Sequence, residues 1–256
     1  MKRIGFLAFS LAIIILSMCL RLPPASAEAK TLTLAIGLSL PPYNIPEIKS
    51  GMEFDIVKEA LGLRGYKAIP KYLPFGQRVQ EMVNQTVDGV LTVTPDCGID
   101  AFYSAVHIMY QNVAVSLQKN RFSILTVSDL KNKSVAAFQE ATIYLGEDYA
   151  AMAKANGRYQ EVANQEAQVS LLYSGEVDVI VLDKNIFYFF SHHYDYKNRD
   201  QNIDTSEPVV IHRIFPPSLF SVVFTDNKVR DDFDSGLAEL RKSGRYDKII
   251  EKYVGR

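Results

Sequence analysis

The chain has 256 residues, with 28 basic and 29 acidic side chains, a net charge of −1 and 48% hydrophobic residues. That balance argues against nucleic acid or an anionic membrane as the main partner, and the length suffices for one large domain or two small ones. Residues 1–27 read as a secretory signal. Lys2 and Arg3 open it, Ile4 to Leu20 are apolar or small, and Pro23-Pro24 precede the small-x-small pattern Ala25-Ser26-Ala27. The apolar stretch is short for a membrane span and Arg21 follows it. A lipid-anchored Cys19 is the competing reading, for which Met18 is bulkier than the position wants. Cleavage after Ala27 leaves 229 residues with 25 basic against 29 acidic side chains, net −4. Cys97 then has no internal partner, so stability comes from ordinary cores.

"TLTLAIG" (31–37) alternates as a strand does. Glu53 to Leu63 has Phe54, Val57, Ala60 and Leu61 at helical spacing, with Gly65 beyond. Apolar, β-branched runs occupy 87–93, 112–117, 134–138, 177–182 and 219–224, with helical stretches between most of them. Strands alternating with helices predict an α/β fold with largely parallel sheets. "NQTVDGVLTV" (84–93) and "SGEVDVIVLD" (174–183) share a turn, a Val-Asp pair and a buried-type strand. Two lobes of one topology explain that echo most simply. At the C-terminus Val229, Phe233, Leu237 and Leu240 make one helical stripe, Gly244 ends it, and Tyr246, Ile249, Ile250 and Tyr253 begin another. These are core faces.

"PPYNIPEIKSGMEFDIVKEAL" (41–61), "FGQRVQEMVNQTVDG" (75–89), "TVSDLKNKSVAAFQEAT" (126–142), "SGEVDVIVLD" (174–183) and "AELRKSGRYDKIIEKYVG" (238–255) occur in that order. Together they resemble the periplasmic solute-binding proteins, family 3, of polar amino-acid ABC transporters. The resemblance implies a type II periplasmic binding protein fold. It has two α/β lobes with mixed, mostly parallel sheets and flanking helices, joined by two hinge strands and closing over a small ligand. It places lobe 1 at about 31–116 plus 220–256 and lobe 2 at 117–219. It also implies a periplasmic monomer that serves a membrane permease, with no cofactor and no catalytic residue.

Carried over residue by residue, the resemblance gives Phe75 as an aromatic stacking on the ligand. Thr142 becomes a donor to the ligand carboxylate and Asp183 the acceptor of its ammonium. Thr92 and Thr94 line the cleft, with Tyr43 near them. Several have plainer readings: Phe75 as core, Asp183 as the cap of the helix after it, and Thr92 and Thr94 as ordinary β-formers. The departures bear on the ligand. Cys97 stands where the family has a carboxylate-gripping arginine, and a thiol cannot imitate that bidentate fork. The segment between Asp88 and Thr94 is short, Leu40 stands where many members have a stacking aromatic, and Glu140 replaces a glycine. The sequence therefore predicts a changed pocket that keeps the ammonium site, for an amine or for a carboxylate held by another residue. Arg78 is the nearest candidate for that role unless it is a solvated helix charge.

Enzymatic readings have less behind them. Cys97 as a nucleophile needs a base such as His107 within reach. His192 and His193 read as a solvated loop rather than metal ligands, and no P-loop, Cys-x-x-Cys, H-E-x-x-H or nucleophile elbow occurs. One enzymatic alternative resembles the periplasmic dehydratases of cyclic dienols, with Glu140 as general acid if burial raised its pKa. A ligand sensor acting on a membrane receptor is the other alternative.

Overall fold

The computed structural model describes residues 29–94, 98–193 and 203–255, and apart from Lys30 at the start of β1 its two sheets lie within the compact unit Thr31–Arg256. The signal segment, Cys97 and part of the "SHHYDYKNRD" stretch lie outside the described residues.

The first sheet contains β1 (Lys30–Ile36), β2 (Tyr66–Tyr72), β3 (Gly89–Val93), β4 (Phe102–Tyr103), β5 (Ile108–Tyr110) and β11 (Ser218–Phe224), in the order β2-β1-β3-β11-β4 with β5 also on β11. The second contains β6 (Asn112–Leu117), β7 (Val135–Phe138), β8 (Tyr159–Val162), β9 (Val179–Asp183) and β10 (Val209–His212), in the order β10-β6-β9-β7-β8. Both are mixed. β1 pairs β3, and β7 pairs β8 and β9, in parallel; the antiparallel ladders all involve β6, β10 or β11. Pro70 lies in β2, an edge strand, where a missing N–H costs the sheet least.

Parallel neighbours need crossover helices. Here these are α1 (Met52–Gly62), α2 (Phe75–Val83), α3 (Ala141–Tyr144), α4 (Glu147–Ala155), α5 (Gln165–Ser174) and α6 (Lys184–His193), with α7 (Asn227–Lys242) and α8 (Arg245–Val254) closing the chain. The stripe read from sequence is the buried face of α7: Val229, Phe233, Leu237 and Leu240 are all inside. Asp226 caps it by accepting from the Lys228 and Val229 backbone N–H groups, and Arg241 and Lys242 complement its C-terminal dipole. Gly236 lets α7 press on α1, since a Cβ there would sit 2.1 Å from the Ala60 carbonyl oxygen.

The internal echo has a physical meaning. Asp88 and Asp178 precede β3 and β9, and each carboxylate accepts from the backbone of the parallel neighbour: Thr33 N–H at 2.7 Å and Ser134 N–H at 2.8 Å. Each Asp also donates its own N–H back, to the Thr33 and Ser134 carbonyls. The same two-way clamp fixes the register of both sheets.

Residues 112–116 pair with β9, residues 114–117 pair with β10, and Val113 to Leu117 are buried within the second sheet. The change of sheet falls at Gln111, between β5 and β6, and the chain returns between β10 and β11.

Candidate functional site

Tyr43 is held in place by the start of α1. The Leu40–Asn44 turn presents it, and the first two N–H groups of α1, at Met52 and Glu53, donate to the Pro42 and Tyr43 carbonyls at 2.7 and 3.2 Å. A helix start leaves such donors unpaired, so the Tyr43 loop satisfies them. Gly51 is required for this approach: its φ is +140°, and a Cβ would lie 2.2 Å from the Tyr43 carbonyl oxygen. The Tyr43 ring stacks on Tyr110 at 3.8 Å between centroids, and its hydroxyl donates to Asp183 Oδ1 at 2.8 Å. Burial pushes both phenols well up, with Asp183 and Glu53 adding to the effect, so both keep their protons and act as donors.

Asp183 ends β9 and is only 4% exposed. Its Oδ1 also accepts from the Asn185 and Ile186 N–H groups at 2.7 and 3.2 Å, which caps α6, and Oδ2 accepts from the Gln111 N–H at 2.8 Å. The capping reading is therefore real, and it leaves room for another role. An ionised carboxylate offers about four acceptor sites, two on each oxygen, and Oδ2 uses one. Burial raises the Asp183 pKa, and the hydrogen bonds from Tyr43 and the three backbone groups only partly offset it. Among the described residues no cation pairs with it.

On the first sheet, β3 is bulged where it meets β11. Val90 faces Val223 and Val93 faces Ser221, so Leu91 and Thr92 together oppose Val222. Thr92 has φ +60°, which a β-branched residue rarely adopts. Two side chains hold the bulge. Thr92 Oγ1 donates to Glu53 Oε1 at 2.7 Å, and the Arg78 guanidinium donates to the Leu91 carbonyl at 2.7 Å. Glu53 is fully buried. It also takes the Tyr110 hydroxyl at 3.1 Å and lies 2.9 Å from His107 Nε2. Arg78 is 5% exposed, so it is no solvated helix charge; burial pulls its pKa down while Glu53 and Tyr110 oppose that. The result is one connected polar face in which Glu53 reaches Tyr110, Tyr110 stacks on Tyr43, and Tyr43 reaches Asp183 of the other sheet.

Thr142 lies beyond β7, the strand beside β9. Its N–H and hydroxyl donate to Glu161 Oε1 at 3.1 and 3.0 Å. Glu140 takes a left-handed conformation, φ +67°, as expected where a glycine is usual. It is exposed, so the burial that the dehydratase reading requires is missing.

Almost the whole chain matches one family. Residues 32–256 fit the model of the bacterial extracellular solute-binding proteins, family 3. The chain belongs to that family. A probable histidine-binding protein of Campylobacter jejuni is 24% identical over 243 residues, covering 90% of this chain and 88% of its own. An ancestral cationic amino acid solute-binding protein superposes with a TM-score of 0.66 at 17% identity, covering 88% of this chain and 95% of its own. An ancestral arginine-binding protein bound to arginine gives 0.57 at 22%, covering 88% and 99%. These structures share the two-lobed fold.

Of the residues singled out in the sequence, the structure joins Tyr43, Thr92 and Asp183 through Glu53 and Tyr110. Thr94 is half-buried just past β3, and Thr142 stands apart with Glu161. Phe75 opens α2, but its side chain, like Cys97, lies outside what is described. His107 is buried against Glu53. Glu53, Tyr110 and Glu161 were not anticipated. Glu53 carried a signal, since it stands four and seven residues before Val57 and Ala60 on one helical stripe, an apolar stripe position given to an acid. Tyr110 and Glu161 carried none.

Proposed function

We propose that the protein, exported by the 1–27 signal and freed after Ala27, captures a small polar, amine-bearing or amino-acid-like solute in the periplasm. It would deliver that solute to an ABC-type membrane permease. The two sheets with their helices would be the lobes, hinged at Gln111 and between β10 and β11. Tyr43, Phe75, Thr92, Thr94, Cys97, Thr142 and Asp183 would line the cleft.

One observation carries this reading. Asp183 is a buried carboxylate with no cationic partner among the described residues, at the C-terminal end of a strand in an α/β sheet and in contact with the opposite sheet. Burying an unpaired charge costs several kcal/mol on the order-of-magnitude scale for such groups, and a ligand ammonium reduces that cost. Ligands of open α/β sheets bind at those strand ends. The names of the relatives, which bind histidine, arginine or cationic amino acids, agree with a cationic head group.

A thermal-shift screen of the mature protein against amino acids, amines, polyamines and organic acids tests it. A true ligand at 100 times its dissociation constant stabilises by about 2.7 kcal/mol and is recovered chemically unchanged. Turnover of the ligand would move the protein to the enzymes. A screen in which only organic acids shift the transition would reject the ammonium site.

A further inference from the structure

The turn after β7, the strand beside β9, already holds a carboxylate that belongs to the chain. Glu161 on β8 accepts from the Glu140 N–H at 2.7 Å through Oε2, and through Oε1 from the Thr142 N–H at 3.1 Å, the Thr142 hydroxyl at 3.0 Å and the Tyr159 hydroxyl at 2.9 Å. The register explains the meeting. Ala137 of β7 faces Glu161 on one side and Val181 of β9 on the other, so Glu161 and Asp183 approach the same end of the sheet. Burial works against the Glu161 charge but is outweighed by the Thr142 and Glu140 N–H groups and the two hydroxyls, and the net pKa is lowered. It is a carboxylate at neutral pH.

We propose that Glu161 is a specificity-determining residue: its carboxylate fills the donors of the β7 turn, so the site selects amines over their α-carboxylate counterparts. The proposal rests on the reading that the solute ammonium reaches Asp183. β7 and β9 are neighbours, about 4.8 Å apart, so a carboxylate attached to the same carbon as that ammonium comes close to the turn after β7. There it meets donors already used and a like charge that opposes it. An amine without the carboxylate meets neither obstacle.

The test uses two pairs of probes that differ by the carboxylate alone: histamine against L-histidine, and agmatine against L-arginine. Calorimetric titration of the wild-type protein should show each amine binding at least tenfold more tightly than its amino acid. Glu161→Gln removes the charge at nearly constant shape and should reduce that ratio at least tenfold, mainly by tightening the amino acids. A purely structural clamp would weaken both members of a pair alike and leave the ratio unchanged. Wild-type protein that binds the amino acids as well as the amines overturns the proposal even if the variant does not fold, and leaves solute capture intact. An unchanged ratio in a folded Glu161→Gln protein also overturns it. Binding of none of the four probes counts against this assignment, and the broader solute screen then decides whether capture itself stands.

Discussion

Asp183 caps α6 and, in the proposed function, holds the solute ammonium, and one substitution tests the second role while keeping the first. Asparagine caps helices as well as aspartate does, so Asp183→Asn keeps the bonds to the Asn185 and Ile186 N–H groups while removing the charge. Affinity for a cationic ligand should fall by about 1.5–3 kcal/mol, the range for hydrogen bonds to charged groups. The apo melting temperature should fall modestly, since the amide nitrogen then faces the Gln111 N–H that Oδ2 accepts, whereas Asp183→Ala should cost more, about 1–3 kcal/mol for each buried donor it leaves unpaired, the Tyr43 hydroxyl and the Gln111 N–H among them. The pH dependence has a definite sign. The folded Asp183 pKa is raised by burial, so its contribution to apo stability is full below the ordinary value of 3.8 and is lost as pH climbs through the raised value. A cation pairs only with the ionised form. Affinity should therefore rise with pH across that window, by up to about tenfold per unit, and Asp183→Asn should flatten the profile in titrations from pH 4 to 8. Thr92 is the second residue with a clear test. Thr92→Val keeps the shape but takes one donor from fully buried Glu53, so urea unfolding should show a loss of about 1–3 kcal/mol, with Thr92→Ser closer to wild type.

At the scale of elements, the close crossing of α1 and α7 depends on one missing methyl group. Gly236→Ala would place a Cβ 2.1 Å from backbone oxygen, which no rotamer can relieve, so the helices must separate. A loss of about 1–3 kcal/mol is expected, the usual cost of overpacking, read from the denaturant midpoint at constant slope. Gly62 is the control. It ends α1 with open space around its Cβ position, and Gly62→Ala should stabilise by about 0.5–1 kcal/mol. The elements were also the scale on which the sequence was most legible. α1, α7 and α8 are amphipathic over several turns, and the runs at 112–117 and 219–224 are strands within one residue of where periodicity put them. The short strands β4, β5 and β8 were not, because two to four residues carry no period and form only when a neighbouring strand offers a ladder.

For the whole molecule, the Tyr43–Asp183 hydrogen bond ties the first sheet to the second without a ligand. Tyr43→Phe removes that tie and leaves the stack on Tyr110. Asp183 loses one of the bonds that offset its burial, so the apo protein should lose about 1–3 kcal/mol. A ligand ammonium can replace the hydroxyl, so the ligand-bound variant should recover most of that difference, and the ligand-induced shift in melting temperature should be larger than in wild type. An equal shift in both proteins would show that the hydroxyl and the ligand do not share Asp183. Closure should appear as a fall in the radius of gyration measured by small-angle scattering on ligand addition, since a ligand favours the closed state only by contacting both lobes.

Much was decided by local pattern alone: the alternation of strands and helices, the repeated Val-Asp echo before β3 and β9, the amphipathic C-terminal helices, and through five ordered motifs the family. Those features depend on neighbours three to ten residues apart, which the sequence displays directly. The site depends on contacts that the sequence hides. Glu53 meets Thr92 across 39 positions, Tyr43 meets Asp183 across 140, and Glu161 reaches back 19 to Thr142. Whether Arg78 was buried, whether Asp183 lacked a cation among its described neighbours, and whether the Thr142 donors were already taken could not be read from spacing. Burial and partnership are fixed by which strands lie side by side, and only the folded chain brings those strand ends together.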